Sequence, residues 1–156
     1  MIKIKLKGAI PSKKNNKQLF KNKKTGKMFI STSNDHKKWH EEATNQLTMQ
    51  YIPRLNLEYV KVTKIIIYFS DLRKSDITNK VESINDLLVD YGLIKDDNWL
   101  NMPNLILSGV YKKNDPGCEI ELHGIKEKYD QKTNKQTKDC LKIRSKKWKK
   151  EKSKDK

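Results

Sequence analysis

The chain has 156 residues, with 35 Lys and Arg against 19 Asp and Glu, and a formal net charge of +16. This length suits one domain with its own core, and the longest apolar run, IIIYF at 65–69, is far too short to span a membrane. A positive charge of this size favours nucleic acid as the partner, because each lysine placed on a phosphate releases condensed counterions. The alternative explanation is a low-GC genome, which fills neutral surface positions with Lys and Asn.

The charge is unevenly distributed. Residues 1–38 carry a net charge of +11, residues 39–125 carry −4 and residues 126–156 carry +9. Hydrophobic residues become sparse after residue 126. We therefore expect a folded domain at 1–125, followed by a basic, flexible tail at 126–156.

The first third of the chain predicts a strand, a hairpin and a helix. Residues 1–10, MIKIKLKGAI, alternate apolar side chains with lysine, which is typical of a half-buried strand and not of a signal peptide. The sequence KNKKTGKMFIS predicts two short strands around a turn at its Thr-Gly pair. A helix should begin near Thr32 or Ser33 and end at Pro53. Its apolar positions recur every four residues: Trp39, Ala43, Leu47 and Tyr51.

The remainder predicts a long strand, a second helix and two more strands. The run LEYVKVTKIIIYFS at 57–70 is rich in β-branched and aromatic residues. A helix is expected at about 78–91 and should end at Gly92. Its apolar stripe consists of Val81, Ile84, Leu88 and Tyr91. Strands are expected within 98–113 and 117–125, joined by the turn NDPG. This order predicts an α+β fold, a compact single domain with a mixed sheet and two main helices on one face.

Cysteine, histidine and tail tryptophan residues give weaker indications. Cys118 and Cys140 have no metal-binding or disulfide spacing, so we expect reduced thiols in a cytoplasmic protein. The three histidines are scattered, and we expect them at the surface: His36, His40 and His123. Trp148 lies among tail lysines, where it either stacks on a base or is incidental.

The sequence SDITNKVESINDLLVDYGLIKDDNW at 75–99 gathers acidic residues in an otherwise basic chain. Asp86 and Asp90 fit the solvated face of an amphipathic helix, and Asn79 with Glu82 fits a capping box. The pair Asp96-Asp97 is less easily explained in this way. These carboxylates could face Asp76 across the edge of the sheet and bind Mg²⁺ or Mn²⁺, which prefer carboxylate oxygens and assist phosphodiester hydrolysis.

The sequence DITNKVESINDLLVDYGLIKDD resembles the RusA-like Holliday junction resolvases, small phage-associated and bacterial crossover junction endonucleases. Their motif runs Asp-x-Asp-Asn, a Lys three residues later, an Asp four residues after that, and a Gly-containing turn into Asp-Asp. The ungapped matching positions are Asp76, Thr78, Asn79, Glu82, Asp86, Gly92, Asp96 and Asp97. PSKKNN and the helix after FISTSNDHKKW also resemble the family, so the resemblance covers roughly residues 1–123.

The resemblance implies a RusA-like homodimer that cuts four-way DNA junctions with Mg²⁺ or Mn²⁺. Asp76 and Asp97 would be metal ligands and Asp96 a neighbouring acid. Thr78 stands where the family has its second Asp, and Glu82 stands where it has a catalytic Lys. These two changes balance in charge, so we expect a rearranged, active site in which Glu82 is a metal ligand.

In that rearranged site, Lys80 or Lys74 would supply the cation. The expected DNA-binding residues are Lys13, Lys14, Asn15, Asn16, Lys74 and Asn79. The first four form a polar loop after a strand, which fits a phosphate clamp or a solvated loop equally well.

Two alternatives remain open. Thr78 and Glu82 also fit a catalytically impaired protein that binds junctions on the same fold. A general nucleic-acid-binding protein without a site is the third hypothesis. Asp76 and Asp97 argue against it, because carboxylates near phosphates do not help a protein that only binds.

Overall fold

The computed structural model describes residues 1–12, 17–21, 24–26, 28–32 and 34–127. Its elements follow the predicted order and confirm the α+β class. They are β1 (Ile2–Lys7), β2 (Lys17–Lys21), β3 (Met28–Thr32), α1 (Asn34–Met49), β4 (Tyr59–Phe69), α2 (Ile77–Asp90), β5 (Leu105–Tyr111) and β6 (Gly117–Lys126).

Four strands form one mixed sheet in the order β1-β6-β4-β5, and β2 pairs with β3 in a separate antiparallel hairpin. Within the mixed sheet, β6 is antiparallel to both β1 and β4, whereas β5 is parallel to β4. Two parallel neighbours need a crossover connection, because the chain must return to the end at which the first strand began. The helix α2 is that connection, and β5 is left as an edge strand.

Both helices contribute to one hydrophobic core on one face of the sheet. Alternate residues of β1 and β4 are buried there, as the period of two predicts. Trp39, Ala43 and Leu47 of α1 and Val81, Ile84 and Leu88 of α2 belong to the same cluster. The opposite face is charged near β1, where Lys5 pairs with Glu119 at 3.1 Å. The apolar stripes predicted for both helices are therefore confirmed except at Tyr51, which follows the end of α1 and is 92% exposed.

The ends of α2 are fixed by one acid and one glycine. Asp76 is the N-cap, and its carboxylate accepts a hydrogen bond from the Thr78 backbone N–H at 2.9 Å. Gly92 has a φ of +80° and closes the helix as predicted, donating to the Val89 carbonyl at 2.9 Å. The expected capping box of Asn79 and Glu82 is wrong, because the helix begins earlier, at Ile77.

The strand expected from residue 98 begins only at Leu105. Asn98 explains the difference, since its side-chain oxygen accepts from the Leu100 and Asn101 backbone N–H groups at 2.9 and 3.2 Å. An asparagine that bonds its own backbone two and three residues onward favours a turn over a strand.

His36 is buried, at 7% exposure, so its expected surface position is wrong. It lies three residues before Trp39 and therefore on the same buried face of α1. Cys118 is a free, buried thiol whose pKa burial raises to about 12, and such a thiol is chemically inert. No helix in the described ranges has both the length and the apolar character needed to cross a membrane.

Most of the predicted tail lies outside the described residues. Residues 128–156, with Cys140 and Trp148, lie outside the described residues. The boundary between a domain at 1–125 and a basic tail at 126–156 therefore stays a prediction.

Candidate functional site

The acidic residues singled out in the sequence lie at opposite ends of α2. Asp76 precedes the helix and follows the C-terminal end of β4. Asp97 comes after the helix, where Lys95 donates its backbone N–H to the carbonyl of Leu57, two residues before β4 begins. A helix of 14 residues is about 21 Å long. Asp76 and Asp97 of one chain are therefore not brought together.

At the N-terminal end of α2, Asp76 is held by Thr78. The Asp76 Oδ1 accepts from the Thr78 hydroxyl at 2.6 Å as well as from its backbone N–H. A second aspartate at position 78 would repel this carboxylate, whereas the hydroxyl donates to it. With threonine at position 78, a hydrogen bond orients the Asp76 carboxylate, where an aspartate would make a like-charge contact.

A cleft of about 330 Å³ adjoins this end of α2, and we call it the basic cleft. Its charged lining residues are Asp71, Arg73, Lys74 and Lys80. Arg73 bonds Asp71 at 2.7 Å and holds the pKa of that carboxyl below its ordinary value. Lys74 is exposed and has no ionic partner among the described residues, so it is the cation of the cleft best able to meet a phosphate.

Lys80 is engaged with the protein itself. Its ammonium donates to the carbonyl of Ile10 at 2.6 Å, and partial burial lowers its pKa. One turn further along α2, the buried hydroxyl of Ser83 donates to the carbonyl of Pro11 at 2.9 Å. Together they fasten residues 10–11 to α2, two residues before Lys13 in the sequence.

The predicted phosphate clamp itself cannot be placed. Lys13, Lys14, Asn15 and Asn16 lie outside the described residues, so their role stays a prediction. Asn79, the remaining predicted DNA-binding residue, is in the first turn of α2 beside Thr78.

At the C-terminal end of α2, Asp86, Asp96 and Asp97 are neighbours, and we call them the acidic group. Although Asp97 is exposed, loss of part of its hydration raises the pKa of its carboxyl, and the charges of Asp86 and Asp96 raise it further. The Asn98 amide donates to Asp96 at 2.8 Å and lowers the pKa of that carboxyl. Asp96 therefore ionises readily, and ionisation of Asp97 beside it is unfavourable.

Two further acidic residues lie on α2. Glu82 lies one turn before Asp86, so both side chains leave the same side of the helix. Asp90, near the helix end, has its carboxylate 3.1 Å from His40 Nε2 of α1. Asp90 thus contributes to the contact between the two helices.

Carboxylate oxygens are suitable ligands for Mg²⁺ or Mn²⁺, and a cation would relieve the repulsion within the acidic group. Within the described part of the chain, however, no three His, Cys, Asp or Glu side chains are close enough to form a metal site. The donor chemistry therefore fits a divalent cation, but one chain divides the donors between two ends of a helix.

Asp97→Asn should raise the free energy of unfolding near neutral pH, because the amide removes a charge that is partly desolvated and that Asp86 and Asp96 repel. The gain should stay within about 1 kcal/mol, as is usual for exposed charges. The cost of ionising Asp97 is complete above its raised pKa and absent below the ordinary value of 3.8, where folded and unfolded chains are both protonated. Urea unfolding in a chelating buffer at neutral pH and at about pH 3 measures the difference.

Asp115→Asn is the matched control for this measurement. Lys112 bonds Asp115 and lowers its pKa, so removing this charge should destabilise the protein at neutral pH. An Asp97→Asn gain that persists unchanged at about pH 3 would contradict the electrostatic explanation.

Ser83→Ala should destabilise the chain by about 1–2 kcal/mol, because the Pro11 carbonyl loses its donor inside the structure. The loss in the double variant with Lys80→Met should be smaller than the sum of the two single losses, since both side chains hold the same segment. Urea unfolding of the single and double variants measures the coupling. Lys113→Met, at an exposed turn, is the control, and fully additive losses would contradict a shared anchoring role.

Comparison with known proteins agrees with the sequence motif. No curated protein matches the chain. A family model described as "Endodeoxyribonuclease RusA" matches residues 9–123, which is most of the chain and includes α1, α2 and both ends of α2. The chain belongs to the RusA endodeoxyribonuclease family.

Proposed function

We propose that this chain is a divalent-metal-dependent endonuclease that hydrolyses phosphodiester bonds in branched DNA, four-way junctions above all. Family membership supports the coarser part, an endodeoxyribonuclease that resolves Holliday junctions. The observation that carries the finer part is the division of the carboxylates: Asp76 at one end of α2 and the acidic group at the other.

The active form in this proposal is a homodimer in which Asp76 of one copy meets Asp97 of its partner. Neither end of α2 assembles a three-ligand metal site from the described residues. The two ends also differ in charge, since the basic cleft adjoins Asp76 and the acidic group surrounds Asp97. A two-fold axis that brings unlike ends together would therefore bring opposite charges together at both sites.

The edge strand β5 is a suitable surface for this pairing. Four of its seven residues are large hydrophobic side chains that are 41% to 51% exposed: Leu105, Ile106, Val110 and Tyr111. An unpaired strand edge is a template for another strand. If two β5 strands pair antiparallel, the start of each lies beside the end of the other. Because β4 is parallel to β5, the acidic group of one copy then shares an end of the joined sheet with Asp76 of its partner.

In this proposal, Mg²⁺ or Mn²⁺ is held by Asp76 and Asp97, with Glu82 as a further carboxylate. The cation would orient the attacking water and offset charge on the scissile phosphate. Thr78 keeps the Asp76 carboxylate oriented before any ligand arrives. Asp96 stays ionised beside Asp97 and increases the attraction for a cation.

The basic cleft supplies the phosphate contacts in this proposal. Lys74 would neutralise a phosphate next to Asp76, and Asn79 would donate to the same strand. Lys80 acts indirectly here, since its ammonium is bonded to Ile10 and anchors the segment that leads to Lys13.

A junction-binding protein that has lost cleavage is the second candidate function. The observation that favours it is the pair of substitutions at Thr78 and Glu82, which removes one acid and reverses one charge relative to the family motif. Every DNA-contacting feature named above would serve such a protein equally.

Cleavage of a labelled four-way junction with Mg²⁺ or Mn²⁺ separates these two functions. We expect symmetrical nicks from the parent protein and a loss of at least about 100-fold in Asp97→Asn, because removing a direct ligand should cost no less than removing a residue that supports one. Glu82→Ala should also lose cleavage. Glu42→Gln, at an exposed acid of α1, is the control and should keep it.

Two outcomes would contradict parts of the proposal. Tight junction binding without nicks in any variant would favour the binding protein. Cleavage that survives Glu82→Ala would exclude this side chain as a replacement ligand. Equal affinity for a junction and a duplex at raised salt would argue against both functions.

Mixing two inactive variants tests whether the site is shared. A mixed dimer of Asp76→Asn and Asp97→Asn contains one site with both carboxylates and one site with neither. Random exchange should therefore restore roughly a quarter of the parent's sites, seen as single nicks. A site built within one chain predicts no activity in the mixture.

The same mixture can test the surface. Ile106→Lys placed in both variants puts a charge on the apolar β5 edge and should abolish the recovered nicking. Lys112→Met in both variants is the control, since it removes a charge just beyond β5 without adding one to the edge. Recovery that survives Ile106→Lys would assign the pairing to another surface.

A further inference from the structure

Trp99 is an exposed indole beside the acidic group, and neither the motif nor the family match assigns it a role. Its side chain is 59% exposed, whereas Trp39 in α1 is buried in the core. Single exposed hydrophobic residues are common on protein surfaces and need no explanation by themselves. Two properties of the surroundings distinguish Trp99: its loop is rigidly anchored, and the local charge is negative.

The loop is anchored on both sides of Trp99. Before it, the Asn98 amide donates to Asp96 at 2.8 Å. After it, the Asn101 amide donates to the carbonyl of Glu58 at 2.8 Å, and the Met102 backbone N–H donates to the Asn98 carbonyl at 2.9 Å. Met102 is itself 7% exposed and belongs to the core. The indole therefore projects from a fixed backbone and would lose little conformational entropy on binding a flat partner.

The charges around the loop disfavour a phosphate contact. Asp96 and Asp97 lie three and two residues before Trp99 in the sequence. The nearest lysine in sequence, Lys95, is paired with Glu58 at 2.8 Å. A nucleic acid base has no formal charge, and its face stacks on an aromatic ring with little regard for sequence. The chemistry that fits this position is thus an unpaired base and not the sugar–phosphate backbone.

We propose that Trp99 is a stacking platform for an unpaired base at the branch point of the DNA substrate. This inference rests on the proposed function, since it places the base beside the acidic group that would act on the phosphate. Two residues of backbone separate Trp99 from Asp97, at most about 7 Å. A base stacked there belongs to a nucleotide next to the cleaved bond, so Trp99 would help to choose the branch over intact duplex.

Binding measurements on uncut DNA test the platform. In an Asp76→Asn background, the probes are a four-way junction with an unpaired thymine at its branch, oligothymidine, and a blunt duplex. Trp99→Ala should weaken binding to the first two by about 5- to 150-fold and leave the duplex unchanged. Trp99→Phe should retain most of the affinity. Trp99→Leu should behave like Trp99→Ala, because it is apolar but has no ring face.

Salt dependence separates stacking from charge. Trp99→Ala should leave the slope of log affinity against log salt unchanged, whereas Lys74→Met should flatten it by about 0.7–0.9. Full affinity in Trp99→Leu, equal losses on duplex and junction, or a change of slope in Trp99→Ala would each overturn the platform. A shift of Trp99→Ala to monomers in sedimentation would also overturn it, since the indole would then belong to a contact between copies.

The two proposals fail differently in these experiments. A parent protein that binds oligothymidine through Trp99 but never nicks a junction keeps the platform and loses the nuclease. A parent protein that nicks junctions while Trp99→Ala binds every probe normally keeps the nuclease and loses the platform.

Discussion

Parallel pairing of β4 and β5 is the constraint on which the rest of this structure depends. Two neighbouring parallel strands cannot be joined by a tight turn, so the chain between them must return along the length of the sheet. Here α2 makes that return, buried on one side through Ile84 and Leu88. Every candidate functional residue at 75–99 therefore lies on α2 or just beyond one of its two ends.

That distribution separates two electrostatic environments which would compete if they were adjacent. At the end that contains Asp76, the carboxylate accepts two hydrogen bonds from Thr78, and the basic cleft adjoins that end of the helix. At the other end, desolvation and the charges of Asp86 and Asp96 raise the pKa of the Asp97 carboxyl. Clustered like charges lower stability, and proteins tolerate such costs mainly where function needs them. The acidic group is thus the part of the fold least explained by folding alone.

Much of the architecture could be predicted from the sequence because local rules and burial agree there. The alternating lysines of β1, the four-residue spacing of Trp39, Ala43 and Leu47, and the glycine that closes α2 each match the structure. The start of β5 could not be predicted in this way, since Asn98 bonds its own backbone in preference to a ladder. His36 was misplaced because histidine is polar, although its spacing from Trp39 indicates the buried face.

The separation of Asp76 from Asp97 is the most instructive difference. Both acids flank a predicted helix, and within one chain they stay apart because Lys95 bonds Leu57 at the far end of that helix. The resemblance assigns both acids to one site, and a sequence motif does not say whether its residues come from one copy or from two. The sequence does not single out Trp99, because the strand expected from residue 98 would include it, whereas β5 begins at Leu105 and leaves the indole exposed.

The exposed edge of β5 has a further consequence if copies meet there. Cleavage would then be second order in protein at low concentration, because each lone chain carries half of two sites. A newly made or diluted chain would be harmless to DNA, and nicking would begin only once enough protein had accumulated to pair. A cell could thus hold a low level of this nuclease without an inhibitor, and the threshold would be set by how strongly the apolar side chains of β5 hold two copies together.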